Sequence, residues 1–441
     1  MTITKQQLKT RVCEAIAARK ADIKTIAENI WNEPELGYKE TKTAEKVQKA
    51  FTALGVPYRN KLAHTGVKAR LKGGKGSKRT IAVLGELDAI VCADHPGADP
   101  LTGAAHCCGH NAQIASIMAV TMGLIDADAM QHLAGDVVPF AVPAEEYVEI
   151  TYRSKLIEQG QLKYIGGKPE LISRGEFDDI DMALQIHLST VDKTRETGFI
   201  EMSTTSNGFI GKLINYKGVA SHAAAAPHAG VNALNAAVMG IMGVNAIRET
   251  FQEKDYIRFH PIITQGGDLV NVTPSDVRME SYVRAGNVPA MIDANERISR
   301  ALEAGAMSVG AEVEIKDLPG YLPLTNNPTL NELMQNNAQE LIGEDNVWVA
   351  PHMTGSLDIG ELSHIMPVSH PWIGAIRGAL HSKDYTVFDE DMAYIRPAQM
   401  MACTIIDLLF DDAAEAEKLM SNYKPLMTKE ELLAFLDSFN K

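Results

Sequence analysis

The sequence predicts an α/β protein, with a mostly parallel sheet that is covered by helices on both faces and interrupted by an inserted α+β domain. Strand-like and helix-like segments alternate over the first 205 residues and again from residue 319 onward. Between them, residues 206–318 follow the order strand, helix, strand, strand, helix, strand, which is typical of a ferredoxin-like unit. We therefore expect one larger domain in two parts, 1–205 and 319–441, and one inserted domain, 206–318.

Each element of the larger domain is predicted from its pattern of apolar residues. In the first 55 residues, apolar side chains recur every three or four positions, as they do on the buried face of a helix. Short runs of valine, isoleucine and leucine between turn-forming residues predict strands. The predicted elements are helices within 5–31 and over 41–54, strands over 67–71 and 80–84, a mostly apolar helix over 111–125, and strands over 136–142 and 182–186.

The elements of the inserted domain follow from the same patterns. A loop rich in alanine opens a long helix that we expect to end near residue 251. The other predicted elements are strands over 209–216, 256–260 and 277–283, a helix over 290–309 and a closing strand over 311–315.

Length and charge exclude several classes of protein. A chain of 441 residues is too long for one ordinary hydrophobic core. The formal net charge of −14 argues against binding to nucleic acid or to anionic membranes. The amino-terminal residues lack the apolar core of a signal peptide, and no run approaches the ~20 apolar residues of a membrane span, so we expect a cytoplasmic protein.

The segment from His106 to His110, His-Cys-Cys-Gly-His, is the first candidate for chemistry. The five cysteines of the chain are too few and too scattered for a disulfide framework, and pairing the neighbours Cys107 and Cys108 would strain the peptide between them. A cysteine and a histidine two positions apart, with glycine between them, can face one metal ion. A buried turn without chemistry explains this segment equally well.

Other side chains that bind metals follow the ends of predicted strands, where open α/β sheets place their functional sites. Mixed cysteine, histidine and carboxylate ligands suit Zn²⁺, Mn²⁺ or Co²⁺, and a set larger than one tetrahedral ion requires predicts two ions. Of two adjacent glutamates, one could be a ligand while the other is the general base for a metal-activated water, which predicts amide hydrolysis. The candidates are Glu86, Asp88, Glu145, Glu146, His187 and His381.

The motifs that contain these residues resemble those of the aminoacylase and glutamate-carboxypeptidase family of dinuclear metallopeptidases. The most similar branch contains amidohydrolases such as aminobenzoyl-glutamate hydrolase, the auxin-conjugate hydrolases and related dipeptidases. The resemblance runs in order from about residue 25 to about residue 400. It is carried by the motifs Trp31–Glu40, Gly85–Ala89, His106–Asn111, Pro143–Glu146, Ala220–Leu234, Gly355–Asp358 and Gly378–His381.

The resemblance implies a catalytic domain of the metallo-exopeptidase type and a lid domain, the inserted one, through which a homodimer forms. It implies that Glu145 is the general base, that Asp88 orients an imidazole ligand, and that His222 steadies the reacting carbonyl. Asn271 and Arg284 match positions that bind substrate, although a surface role for Arg284 stays open. Two divalent ions, Zn²⁺ or Mn²⁺ with Co²⁺ as a further candidate, would be held by Cys108, His110, Glu146, His187 and His381.

The sequence leaves three functions open. The leading hypothesis is hydrolysis of the amide bond of a small N-acyl or N-aroyl amino acid. Departures from the family pattern flank the site, among them Cys107 for alanine and Asn111 for aspartate, so a dipeptidase or a hydrolase of a non-peptide C–N bond is the alternative. The third hypothesis is a metal-holding or peptide-binding protein without catalytic activity. It predicts that the general base or one of the metal ligands is missing.

Overall fold

The computed structural model describes residues 3–439, within which helices and strands alternate along much of the chain. The helices are α1 (Lys5–Ala18), α2 (Lys20–Trp31), α3 (Thr41–Ala53), α4 (His110–Asp126), α5 (Ile150–Glu158), α6 (Gly167–Ser173), α7 (Ala233–Ile247), α8 (Val288–Val309), α9 (Pro328–Ile342), α10 (Ile359–Ile365), α11 (Arg396–Asn422) and α12 (Lys429–Asp437). Helix α11 is interrupted by non-helical backbone between Phe410 and Ala413.

The strands fall into the α/β pattern that the sequence predicts, and the predicted fold class is confirmed. The strands are β1 (Tyr58–Leu62), β2 (Gly66–Ala69), β3 (Arg79–Glu86), β4 (Ile90–Val91), β5 (Ala104–Ala105), β6 (Gly135–Val142), β7 (Met182–Leu184), β8 (His187–Thr190), β9 (Phe199–Ser203), β10 (Gly208–Lys217), β11 (Arg258–Gln265), β12 (Asp276–Ala285), β13 (Glu312–Pro319), β14 (Val347–Ala350), β15 (Val368–Ser369), β16 (Trp372–Arg377) and β17 (Thr386–Val387).

The described chain divides into two compact units. The first contains the residues up to Thr204, together with Thr325–His352 and Leu362–Lys429. The second contains Thr205–Leu324, Met353–Glu361 and the described residues from Glu430 onward. The domain boundaries at 206 and 319 stay predictions.

A six-stranded sheet forms the core of the first unit. Its order is β1-β2-β6-β3-β7-β15, and β6, β3, β7 and β15 run parallel. Strand β6 is buried along its whole length, as its apolar sequence requires of a strand covered on both faces. Helix α4 carries apolar residues on all its sides and is buried for nearly all of its length. It packs between strand β3 and helices α1, α2 and α11.

A second sheet of the first unit was not predicted. Its strands β14, β9, β16 and β17 are neighbours in that order, and β8 pairs with β16. The strand predicted over 182–186 ends at Leu184 in the first sheet, and His187 begins β8 in the second. The chain therefore crosses between the two sheets at Gln185 and Ile186, which changes the partners of the residues that follow.

The second unit is built on a four-stranded antiparallel sheet of order β11-β12-β10-β13. Helices α7 and α8 pack against each other and against this sheet, and Tyr216, Val277 and Leu302 lie in their shared core. The order β10, α7, β11, β12, α8, β13 is the predicted ferredoxin-like order. Within residues 3–439, every helix is too short or too polar to span a bilayer.

Candidate metal centre

Glycine at position 109 permits the turn that brings Cys108 and His110 together. Gly109 has a φ of 93°, a left-handed conformation that residues with a side chain rarely adopt, and it precedes helix α4. The His110 ring is fully buried, and its Nδ1 lies 2.9 Å from the main-chain oxygen of Asp88. Because that oxygen only accepts, Nδ1 carries a proton, and Nε2 is the ring atom that faces the cluster.

His187 has the same arrangement at the start of β8. Its Nδ1 donates to the main-chain oxygen of Leu188 at 2.8 Å, and its Nε2 lies 3.2 Å from Cys108 Sγ. Burial, followed by the charge of His110, lowers the pKa of His187 to about 4. The ring is therefore neutral at pH 7, the form in which imidazole binds metals.

Cys108 also contacts a histidine from the carboxyl-terminal part of the chain. His381 Nε2 lies 3.2 Å from Cys108 Sγ and 3.1 Å from Glu146 Oε1. The backbone of His381 is left-handed, with a φ of 58°, and its N–H donates to the main-chain oxygen of Cys107 at 2.9 Å. Burial, followed by the charge of Glu146, raises the pKa of the Cys108 thiol well above its usual range.

Among the described residues, the candidate ligand atoms form three groups of three: two share one sulfur, and the third consists of Glu86, His110 and Glu145. Cys108, His110 and His187 form the first, and Cys108, Glu146 and His381 form the second, with the ligand atoms of each group within 4.8 Å of one another. Ligands of one tetrahedral zinc ion stand about 3.6 Å apart, given bonds of about 2.0–2.3 Å. The observed separations of 3.1–3.2 Å are close to this value, so the donor set fits divalent cations.

Glu86, a candidate in the sequence analysis, lies beside the first group in a buried network whose other members the sequence did not indicate. Its Oε1 accepts from Lys168 Nζ and from Gln185 Nε2, each at 2.6 Å. Its Oε2 accepts from Gln113 Nε2 at 2.8 Å and lies 3.0 Å from His110 Nε2. Burial favours the neutral acid, but Lys168 and His110 together hold the pKa of Glu86 well below its usual range.

The two adjacent glutamates follow strand β6. The N–H of Glu146 donates to Asp88 Oδ2 at 2.9 Å, and Asp88 Oδ1 lies 3.3 Å from His110 Nδ1. Glu145 is buried, and its Oε2 lies 3.8 Å from His110 Nε2. The structure thus brings seven residues of the predicted site together: Asp88, Cys108, His110, Glu145, Glu146, His187 and His381.

The other three predicted site residues lie in the second unit. His222 and Asn271 are exposed and adjacent, because the N–H of Ala223 donates to the main-chain oxygen of Asn271 at 2.9 Å. Arg284 is half-buried on β12, where it donates to His260 Nε2 at 3.1 Å and to Ser356 Oγ at 2.6 Å. Neither of these two partners carries a negative charge.

The fold and the site together indicate a metal-dependent hydrolase. The fold combines a mostly parallel α/β unit with an inserted antiparallel unit, and the site is a buried cluster of thiol, imidazole and carboxylate groups. The chain belongs to peptidase family M20/M25/M40, whose model matches residues 83–405. The protein is a hydrolase that acts on amide bonds.

Similar proteins span most of the chain. An Xaa-Arg dipeptidase of Mus musculus is 28% identical over 443 residues, covering 97% of this chain and 94% of the relative. One component of the p-aminobenzoyl-glutamate hydrolase of Escherichia coli K12 is 26% identical, covering 75% of this chain and 64% of the relative. A dinuclear metal-binding peptidase of Bacillus subtilis superposes with a TM-score of 0.66 at 21% identity, covering 89% of this chain and 99% of that one, which shows a shared fold.

Proposed function

We propose that the protein hydrolyses the amide bond between an acyl or aroyl group and an amino acid, with Glu145 as the general base. One observation carries this proposal: two groups of metal-binding atoms share Cys108 Sγ, and Glu145 is buried beside them. In this proposal Glu145, which is next to the candidate ligand Glu146, would take a proton from a water molecule at the metal centre.

The donor set supports two divalent ions of Zn²⁺, Mn²⁺ or Co²⁺. His110 and His187 would hold one ion, Glu146 and His381 the other, and Cys108 would contribute to both. When bound, such ions polarise a carbonyl group and make water acidic enough to act as a nucleophile near neutral pH.

The chain's own residues would divide the remaining work. The Glu145 carboxylate would take the proton from water and later give it to the leaving amine. Asp88 would fix the ring of His110, since both its main-chain and its carboxylate oxygens lie near Nδ1. His222 would steady the reacting carbonyl group as a hydrogen-bond donor.

Arg284 supports an amino-acid product with a carboxylate. Its guanidinium group is packed over the rings of Phe209 and Tyr282, and no carboxylate of residues 3–439 forms an ion pair with it. A half-buried, positively charged group with neutral neighbours suits paired hydrogen bonds to a substrate carboxylate. Asn271 would be a second polar contact to the substrate.

A dipeptidase activity is the second candidate. The Mus musculus relative is called an Xaa-Arg dipeptidase, and its similarity covers nearly the whole chain. A panel that contains N-acetyl, N-benzoyl and p-aminobenzoyl amino acids beside dipeptides with basic, acidic and apolar carboxyl-terminal residues separates the two candidates. We expect higher kcat/KM for the N-blocked compounds. A preference for dipeptides would replace the first candidate with the second.

The role of Glu145 is tested on the best substrate of that panel. Substitution Glu145→Gln should lower kcat about 10²–10⁴-fold, because it removes the general base. Glu149→Gln is the matched control, since Glu149 undergoes the same chemical change and pairs only with Lys39, at 2.6 Å, among the ion pairs of residues 3–439. Equal rates for Glu145→Gln and the wild type would contradict the proposed mechanism, as would activity that survives complete chelation.

We also propose a homodimer formed through the second unit. Helix α7 exposes Val238, Met239 and Met242, and β11, an edge strand of its sheet, exposes Ile262 and Ile263. An apolar surface beside an unpaired strand edge favours association with a second copy. Light scattering should give about twice the mass of 47.9 kDa, and Met242→Glu should shift the mass toward one chain. A monomeric wild-type protein would contradict this proposal.

A further inference from the structure

The segment Pro143–Glu146, which contains the proposed base, has an unfavourable backbone conformation. Ala144 has a φ of 53°, in the left-handed region that residues with a Cβ atom avoid. Such strain persists only where surrounding contacts determine the conformation. The contacts that hold Ala144 therefore also determine the direction in which Glu145 points.

Two buried carboxylates hold the backbone on either side of Glu145. The N–H of Ala144 donates to Glu40 Oε1 at 2.8 Å. The N–H of Glu146 donates to Asp88 Oδ2 at 2.9 Å. The main-chain oxygen of Ala144 accepts from the N–H of Gly167 at 3.0 Å. A Cβ atom at Gly167 would lie 1.7 Å from the oxygen of Pro143, so only glycine allows this approach.

Glu40 has the position of a helix-capping residue, but its side chain does not cap helix α3. The N–H groups of Lys42 and Thr43 donate instead to the carboxylate of Glu35, at 3.2 and 2.9 Å. The Glu40 carboxylate points inward, where its other hydrogen bond comes from Thr65 Oγ1 at 2.7 Å. Stabilisation of the helix end therefore does not explain this side chain.

The charge of Glu40 is costly where it lies. The side chain is fully buried, and within residues 3–439 it pairs with no cation. A buried carboxylate that makes only hydrogen bonds to neutral groups destabilises the folded state. Its contact with a strained backbone next to the proposed base offers a functional reason for its presence.

We propose that Glu40 is a positioning residue, which aims Glu145 by holding the N–H of Ala144 in its left-handed turn. The proposal rests on the proposed role of Glu145 as general base. Without an acceptor for its N–H, Ala144 would relax toward an ordinary backbone conformation, and the Glu145 carboxylate would move with it. The side chain of Glu40 itself does not touch the substrate in this proposal.

The experiment compares Glu40→Ala with Glu40→Gln and with the control Glu35→Ala, all in the full chain. Glutamine keeps one oxygen for the N–H of Ala144, and its amide group can donate to Thr65, so this variant should restore the positioning. Glu35→Ala weakens the start of the same helix, α3, without touching residues 143–146. Any effect that Glu35→Ala shares with Glu40→Ala therefore reflects general loosening of this region.

The first readout is hydrogen exchange of the peptide that contains residues 143–147, which requires no substrate. Glu40→Ala should speed the exchange of this peptide about tenfold, the expected effect of losing one buried hydrogen bond, while the other two variants stay within about twofold of the wild type. The second readout is turnover of the best substrate. Glu40→Ala should lower kcat about 10²-fold with KM within about twofold, because a displacement of about 1 Å has that effect on rate.

Three results would overturn the proposal: unchanged exchange of the 143–147 peptide in Glu40→Ala, a kcat of Glu40→Ala equal to that of the wild type, or equal losses of kcat in Glu40→Ala and Glu35→Ala. A failure of the proposed function looks different. Glu145→Gln would then keep wild-type kcat, while the exchange measurement would still report whether Glu40 holds the segment.

Discussion

The buried carboxyl group of Glu40 should make the stability of the protein depend on pH in an unusual direction. Burial, followed by the negative charge of Asp88, raises the pKa of Glu40 from 4.5 to about 7. Between these two values the folded protein holds a proton that the unfolded chain has released. The free energy of unfolding therefore falls as pH rises through this range, and the contribution of the neutral acid is lost above the folded-state pKa.

The size of the effect follows from the difference between the two pKa values. A difference of about 2.5 units, at about 1.36 kcal/mol per unit, corresponds to about 3 kcal/mol. Glu40→Gln keeps a neutral side chain at every pH and retains acceptors for its neighbours. We therefore expect this variant to gain about 2–3 kcal/mol relative to the wild type between pH 5 and pH 8, since part of the effect is already present at pH 5.

The assay is urea unfolding of both proteins at pH 5, 6, 7 and 8, with a chelator present so that cations do not contribute. Asp136→Asn is the control. Although burial opposes ionisation of Asp136, hydrogen bonds from Ser77 and Arg70 lower its pKa below the ordinary 3.8, outside the tested range. The difference in the free energy of unfolding between Asp136→Asn and the wild type should therefore be the same at all four pH values. If the difference in the free energy of unfolding between Glu40→Gln and the wild type were also independent of pH, the reasoning would be refuted.

Two further predictions concern the cluster itself. Lys168→Met should lower the free energy of unfolding by about 3–5 kcal/mol, because the buried Glu86 carboxylate loses the ammonium group at 2.6 Å, and adding Glu86→Gln should restore most of that loss in urea unfolding. Cys108→Ser should lower the bound metal, measured by elemental analysis after gel filtration, from about two ions toward none, because its sulfur belongs to both groups, whereas His187→Ala should keep one ion. Equal metal content in these last two variants would contradict a shared sulfur.

The sequence predicted those parts of the fold that depend on local patterns. Helix α4 and strands β3 and β6 are apolar over nearly their whole length, so their burial is evident from sequence alone. The second sheet of the first unit was missed, because β8 pairs with β16, which begins at Trp372, far away along the chain. A crossing between sheets at Gln185 leaves no mark on the periodicity of residues 182–186.

The candidate site likewise contains residues that the sequence indicates and residues that it does not. Cysteine, histidine and paired glutamates at strand ends are unusual enough to be noticed, and the structure brings them together. Lys168 and Glu40 could not be found so easily, because a single charged residue near a turn or a helix start usually faces solvent. Their burial depends on Glu86 and Ala144, which are 82 and 104 positions away.

The energetically unfavourable features of the candidate site are concentrated in one segment. Residues 143–146 combine a strained alanine with two buried glutamates, and the buried carboxylates of Glu40 and Asp88 hold their N–H groups. An isolated turn of this kind would relax, since neither the backbone conformation nor the concentration of negative charge is favourable alone. Divalent cations at the adjacent ligand groups would offset that negative charge. Metal binding should therefore stabilise the orientation of Glu145 that catalysis requires, and that orientation should in turn favour metal binding.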